Sequence, residues 1–169
     1  METSAGENDP GTNTRAVETR LRVRYAETDQ MGVVYYANYL IWMEIGRTDF
    51  CRKSGFRYRD LELEEGFAIA VAEAQCRYRA PARYDDEILV RTTLERLRRR
   101  TLHFTYEILN AGTGELLAEG ATVHVVIGTR DGRTHTLPPA YHALLGRWES
   151  PHETRPPGTP LHDRETKNP

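Results

Sequence analysis

Lysine is almost missing from this chain. Of its 23 basic residues only Lys53 and Lys167 are lysines, so arginine is its ordinary cation and a run such as Arg98-Arg99-Arg100 says less than it would elsewhere. Cysteine is equally scarce. Cys51 and Cys76 stand far apart in segments that read as regular structure, which argues against a small secreted scaffold stapled by disulfides; both read as small core residues. No apolar run approaches the roughly 18 residues of a membrane span, and the opening METSAGENDPGTNTR lacks the apolar centre of a secretory signal. A cytoplasmic protein is expected. The six histidines, His103, His124, His135, His142, His152 and His162, form no cluster at ligand spacing, so no metal is expected. With a net charge of -2 and no recognition motif, nucleic acid is a poor partner for the arginines. No internal repeat is found.

What remains is material for one compact domain. Residues 1–16 are polar and non-periodic and read as a disordered leader. Residues 149–169 hold five of the nine prolines and almost nothing apolar, and read as a disordered tail. The domain is expected over 17–148.

Its centre is the stretch Tyr25 to Gly55. From Tyr36 onward Tyr39, Trp42, Met43, Gly46 and Phe50 recur at steps of three and four, the spacing that lines one side of a helix. Arg52, Lys53 and Gly55 give its far end a C-terminal signature. Before it, Val17, Thr19, Leu21, Val23 and Tyr25 alternate with charged residues as in a half-buried strand. After it, Phe56 to Gly66 reads as a connecting loop or short helical turn. Phe67 to Tyr78 interleaves bulky residues with alanines, so one face is bulky and the other small enough for close packing, and it counts as the first of four strands after the helix, although alanine is itself a good helix former. Glu87 to Leu97, Leu102 to Ile108 and Leu116 to Ile127 follow as strands with tight turns between them, an antiparallel meander. Tyr141, Leu144, Leu145 and Trp148 form the apolar side of a short terminal helix. The sum is an α+β domain, a sheet wrapped around one apolar helix.

The chemistry lies at the start of the long helix. Opening N–H groups of a helix lack intrahelical partners and carry the positive end of the dipole, so an oxygen gaining negative charge is stabilised there. Asp29 precedes Tyr36 by seven residues, and a turn at Gly32 can bring its carboxylate back beside those amides. On spacing alone an aspartate in that position is most often a cap or turn residue. The segment Asp29-Gln-Met-Gly32-Val-Val-Tyr-Tyr36-Ala-Asn38-Tyr39, followed by Trp42, Glu44 and Arg47, resembles the signature of the 4-hydroxybenzoyl-CoA thioesterase branch of the hot-dog-fold acyl-CoA thioesterases. The resemblance covers roughly residues 17–130 and implies the hot-dog fold. It implies an acyl-CoA thioesterase in which Asp29 is the catalytic carboxylate and the Tyr36 N–H polarises the thioester carbonyl, with no metal or redox cofactor. Many relatives carry histidine where this chain has Tyr36; a backbone donor survives that change. Active sites at subunit boundaries in the family imply a homodimer or homotetramer.

Further substrate-binding candidates are Gly32 at the turn, and Tyr35 and Asn38, which either line the acyl pocket or hold the loop. Tyr39 reads as packing. Arg99 and Arg100, with Thr101 beside them, are candidates for the phosphates of coenzyme A, since guanidinium groups grip phosphate oxygens in a fork. Glu44, the carboxylate position used in a separate hot-dog branch, ranks below Asp29, because pairing with Arg47 or a solvated face explains it. Two rival readings are a thioesterase acting on carrier-protein thioesters and a non-catalytic acyl-binding subunit.

Overall fold

A computed structural model of the chain describes residues 15–149. The expected leader and tail therefore lie outside the described residues, apart from Arg15, Ala16 and Glu149.

The alternating segment becomes strand β1 (Val17–Arg22), and a 3-10 turn at Tyr25–Glu27 leads into the loop before helix α1 (Asn38–Lys53). A helical turn α2 (Tyr58–Asp60) runs into a π turn, Leu61–Glu65, which ends at Gly66 with φ 71. Strands β2 (Phe67–Tyr78), β3 (Glu87–Leu97), β4 (Thr101–Asn110) and β5 (Leu116–Gly128) follow, then helix α3 (Pro139–Gly146). The alanine-rich stretch is the strand β2. Its backbone is claimed by the β5 ladder, from Phe67 opposite Gly128 to Tyr78 opposite Ala118, and that pairing outweighs the helical preference of alanine. The five strands form one antiparallel sheet in the order β1-β3-β4-β5-β2.

Helix α1 lies on one face of this sheet. Tyr39, Trp42, Met43, Gly46 and Phe50 are all buried, as the three-and-four spacing requires. Opposite them the inward positions of the meander, among them Val90, Leu94, Phe104, Tyr106 and Ile108, complete the core. The Phe50 and Phe104 rings meet edge to face at 5.4 Å. Gly46 has a packing reason: a Cβ there would sit 2.5 Å from Thr92 Oγ1 and 2.7 Å from Val90 Cγ1, so only a glycine lets the helix lie this close to β3. Arg47 does not pair with Glu44. It is buried, donates to the Tyr58 hydroxyl at 2.6 Å, and leaves Glu44 exposed to solvent.

Two features of the sheet bear on the site. β2 is an edge strand, and residues 71–75 at its centre are exposed. On the outer side of α1, Leu40, Ile41 and Ile45 are exposed as well. Among the described residues no helix is long and apolar enough to cross a membrane.

Candidate active site

The loop that carries Asp29 is short and closed. Thr28 and Val34 form an antiparallel bridge, Asp29 N–H donates to Val33 O at 2.8 Å, and Gly32 N–H donates to Asp29 O at 3.0 Å. Gly32 makes this turn with φ 72, a backbone that residues with a Cβ rarely adopt. Asp29 Oδ1 accepts the Met31 N–H at 2.8 Å, which fixes the carboxylate at one oxygen. Oδ2 has no bond to any described residue.

The chain then enters α1 through Tyr35, Tyr36 and Ala37. Ala37 caps the helix without a side-chain bond, and the first turn contains no acidic residue. Three turn bonds engage the first helical amides: Asn38 N–H to Tyr35 O at 3.0 Å, Tyr39 N–H to Tyr36 O at 3.4 Å and Leu40 N–H to Ala37 O at 3.1 Å. The Tyr36 N–H, one step earlier, has no acceptor among the described residues. It lies where the helix dipole is positive and no side chain neutralises it. Tyr36 O accepts the Tyr78 hydroxyl at 3.0 Å, which pins this entry to the end of β2.

Asp29 and Tyr36 line one cavity of about 340 Å³, together with Met31, Val33, Val34, Tyr39 and the corner Tyr78–Pro81. Its walls are mostly apolar. The Tyr39 ring packs against Trp42 at 4.8 Å and Tyr78 at 5.1 Å, and its hydroxyl accepts the Ala82 N–H at 3.1 Å. Burial, and after it the neighbouring Cys76 thiol, raises the Tyr78 phenol well above its usual range, so it remains a neutral donor. Arg79 stands at the cavity with its guanidinium held by Glu119 at 2.6 Å. A carboxylate with one free oxygen, an unused amide and an apolar hollow between them can accept a carbonyl compound and stabilise the oxyanion formed from it.

Not every candidate comes to this place. Gly32, Tyr35 and Asn38 are adjacent to the cavity in sequence but do not line it. Asn38 Nδ2 donates to Glu27 O at 2.9 Å, so it holds the loop, and the exposed Tyr35 ring lies 4.5 Å from that of Tyr36. Arg99, Arg100 and Thr101 line a second, open groove of about 760 Å³ with Leu97, Arg98 and His142. Thr101 pairs with Val125, Val125 with Ala70, and Ala70 lies eight residues along β2 from Tyr78. At ~3.3 Å per residue this is ~26 Å, so the groove and the cavity occupy opposite ends of one chain's sheet.

Sequence reasoning missed the cavity's far wall and Glu27. The wall comes from the β2–β3 corner, roughly 50 residues from Asp29. Glu27 is buried; its carboxylate accepts Arg24 N–H at 2.7 Å, Arg24 Nη2 at 3.2 Å and the Trp42 indole at 3.1 Å. Burial raises its pKa, but these bonds outweigh the burial and hold the carboxyl below its usual range. Its one sequence signal is an acid three residues after Arg24, and this says nothing of Trp42.

Residues 23–145 match the model of the thioesterase-like superfamily. The chain is 39% identical over 107 residues to the putative acyl-CoA thioesterase YneP of Bacillus subtilis, covering 63% of this chain and 76% of that protein. It is 34% identical over 126 residues to the acyl-CoA thioester hydrolase YbgC of Escherichia coli, covering 75% and 92%. Among solved structures, the DHNA-CoA thioesterase of Staphylococcus aureus superposes with a TM-score of 0.74 at 32% identity, over 78% of this chain and 89% of that one. A 4-hydroxybenzoyl-CoA thioesterase superposes with a TM-score of 0.71 at 21% identity, over 78% and 99%, and shares the fold.

Proposed function

The chain belongs to the thioesterase-like superfamily, with the hot-dog fold of its structural neighbours, and from this membership and the geometry at the start of α1 we propose that it is an acyl-CoA thioesterase. The observation that carries the reading is the shared cavity, in which Asp29 keeps one carboxylate oxygen unbonded and Tyr36 keeps its amide unused. The acyl group enters the hollow beside Tyr39 and Tyr78, and its carbonyl oxygen accepts the Tyr36 N–H. Asp29 either attacks the carbonyl carbon, forming a mixed anhydride and expelling the thiolate, after which water hydrolyses the anhydride and restores the carboxylate, or takes a proton from the water that attacks the thioester directly and expels the thiolate. Both routes end in free acid and CoA. Negative charge gathers on the carbonyl oxygen in each, and the helix start is the part of the chain that stabilises it.

The working enzyme is a homodimer or a larger homo-oligomer in the cytoplasm. Support comes from β2, which ends the sheet among the described residues, and from Leu40, Ile41 and Ile45, exposed on the outer side of α1 among those residues. If two β2 edges pair antiparallel about a two-fold axis, the partner's Arg99, Arg100 and Thr101 come to the same end of the joined sheet as Asp29. This explains why candidates for the CoA phosphates and for the chemistry lie far apart in one chain. Sedimentation giving only monomers at micromolar concentration would count against this arrangement.

The direct test is Asp29→Asn, followed by thiol release from a panel of short, long and aromatic acyl-CoA substrates. The carboxamide can still accept the Met31 N–H, so the loop keeps its shape while charge and basicity are lost. Turnover should fall by about 10²- to 10⁴-fold. Wild-type turnover in this variant would remove Asp29 from the mechanism.

A further inference from the structure

Glu27 is the point from which both halves of the site leave. Its main-chain oxygen accepts two donors, Tyr35 N–H and Asn38 Nδ2, each at 2.9 Å. Two residues onward in the chain stands Asp29; one residue beyond Tyr35 is the amide of Tyr36. The Tyr35 carbonyl is held by Asn38 N–H at 3.0 Å. Since a peptide unit is planar, this also fixes the direction of the Tyr36 N–H on its opposite edge.

The side chain ties the same point to the helix. Glu27, 5% exposed, receives three donors on two oxygens, and one of them is the indole of Trp42. Trp42 is wholly buried about one turn into α1 and sits under the ring of Tyr39, a wall of the cavity. The loop that carries Asp29 is thereby joined to α1 by a charge-assisted bond as well as by main-chain bonds. No neutral side chain of the same size serves equally. A glutamine must turn its NH₂ toward either Arg24 N–H or the indole N–H, setting donor against donor in a buried place.

We propose that Glu27 is a positioning residue of the thioesterase site: through its bonds to Trp42 and to Arg24 it sets the separation between the Asp29 carboxylate and the Tyr36 amide. The inference rests on the thioesterase reading. Glu27 does not touch the cavity, so its effect falls on the chemical step more than on substrate affinity.

The experiment is steady-state kinetics of the full chain on an acyl-CoA that the wild type cleaves, for Glu27→Gln, Trp42→Phe and Asp29→Asn, with circular dichroism at the assay temperature. Folded Glu27→Gln should lose about tenfold or more in kcat while KM stays within about threefold, because misplacing reacting groups by an ångström costs up to two orders of magnitude. Trp42→Phe, which keeps a buried aromatic ring but removes the indole donor together with part of the ring's volume, should shift kcat in the same direction. Because both variants break the Glu27–Trp42 bond, the double variant should be slowed by less than the product of the two single effects. If folded Glu27→Gln keeps a wild-type kcat, or changes KM alone, the proposal is overturned. If Glu27→Gln does not fold, Trp42→Phe decides it, and an unchanged kcat there overturns it. Full turnover in Asp29→Asn would refute the thioesterase site and this inference with it; an inactive Asp29→Asn beside an unimpaired Glu27→Gln would refute this inference alone.

Discussion

Replacing Gly46 by alanine tests whether the closeness of α1 to β3 is as tight as the packing indicates. On a free helix the change is favourable, since alanine exceeds glycine by about 0.8–1.0 kcal/mol. In this fold the new methyl meets Thr92 Oγ1 at 2.5 Å and Val90 Cγ1 at 2.7 Å, about 1 Å inside ordinary van der Waals contact. Neither neighbour can retreat easily. β3 is bonded to β1 on one side and to β4 on the other, and both side chains are β-branched, with little freedom at χ1. Overpacking of this kind costs about 1–3 kcal/mol, which exceeds the helical gain and leaves a net loss of about 1 kcal/mol. Gly120 supplies the control. A Cβ there meets the tip of the Met43 side chain, which can swing aside, and the next atom, Gln75 O, is 3.1 Å away. Urea unfolding at fixed protomer concentration should therefore rank Gly46→Ala below Gly120→Ala, and both below wild type. A Gly46→Ala protein more stable than wild type would refute the reasoning.

Acid should weaken the fold in two steps. Burial first, then Arg47 and His103, push the pKa of His124 down to about 3, so the unfolded chain binds a proton there that the folded chain refuses. Stability is then lost as pH falls from about 6.5 toward 3, with a slope of up to about 1.4 kcal/mol per pH unit, and His124→Gln should flatten the upper part of that loss in pH-dependent urea titrations. Glu27, whose pKa is lowered, adds a loss confined to pH below its ordinary value of 4.5. Arg99→Glu with Arg100→Glu should raise KM for an acyl-CoA by about tenfold or more and weaken its salt dependence while leaving kcat near wild type, measured by thiol release at two ionic strengths. Tyr78→Phe, which deletes the bond to Tyr36 O and keeps the ring beside Tyr39, should cost about 1 kcal/mol of stability or less in the same unfolding assay.

Much of this fold is legible in the sequence because its periodicities are clean. Tyr39, Trp42, Met43, Gly46 and Phe50 mark the buried side of α1, and the alternation in β3 and β4 assigns inward and outward positions residue by residue. β2 is ambiguous for a physical reason: alanine suits a helix, and only a partner strand reveals which backbone the segment takes. Arg47 misleads in the same way. Its spacing from Glu44 suits a helical pair, yet tertiary packing turns it under Tyr58. Of the candidates before α1, Asp29 and Tyr36 lie within one short motif and line the cavity, while Gly32 makes the turn between them. Glu27 and the corner Tyr78–Pro81 are not legible in this way, since their meaning depends on contacts across 15 residues to Trp42 and across 42 residues to Tyr36.

The cavity takes its candidate reactive groups from one segment and its far wall from another. Asp29 and the Tyr36 amide come from the motif before α1, whereas Tyr78, Arg79, Ala80 and Pro81 come from the corner after β2. On the proposed reading, the acyl chain accepted by the cavity is open to retuning at Arg79, Ala80 and Pro81, which leaves Asp29 and the Tyr78 bond to Tyr36 O in place. Randomised libraries confined to those positions are a rational route to new chain-length preferences.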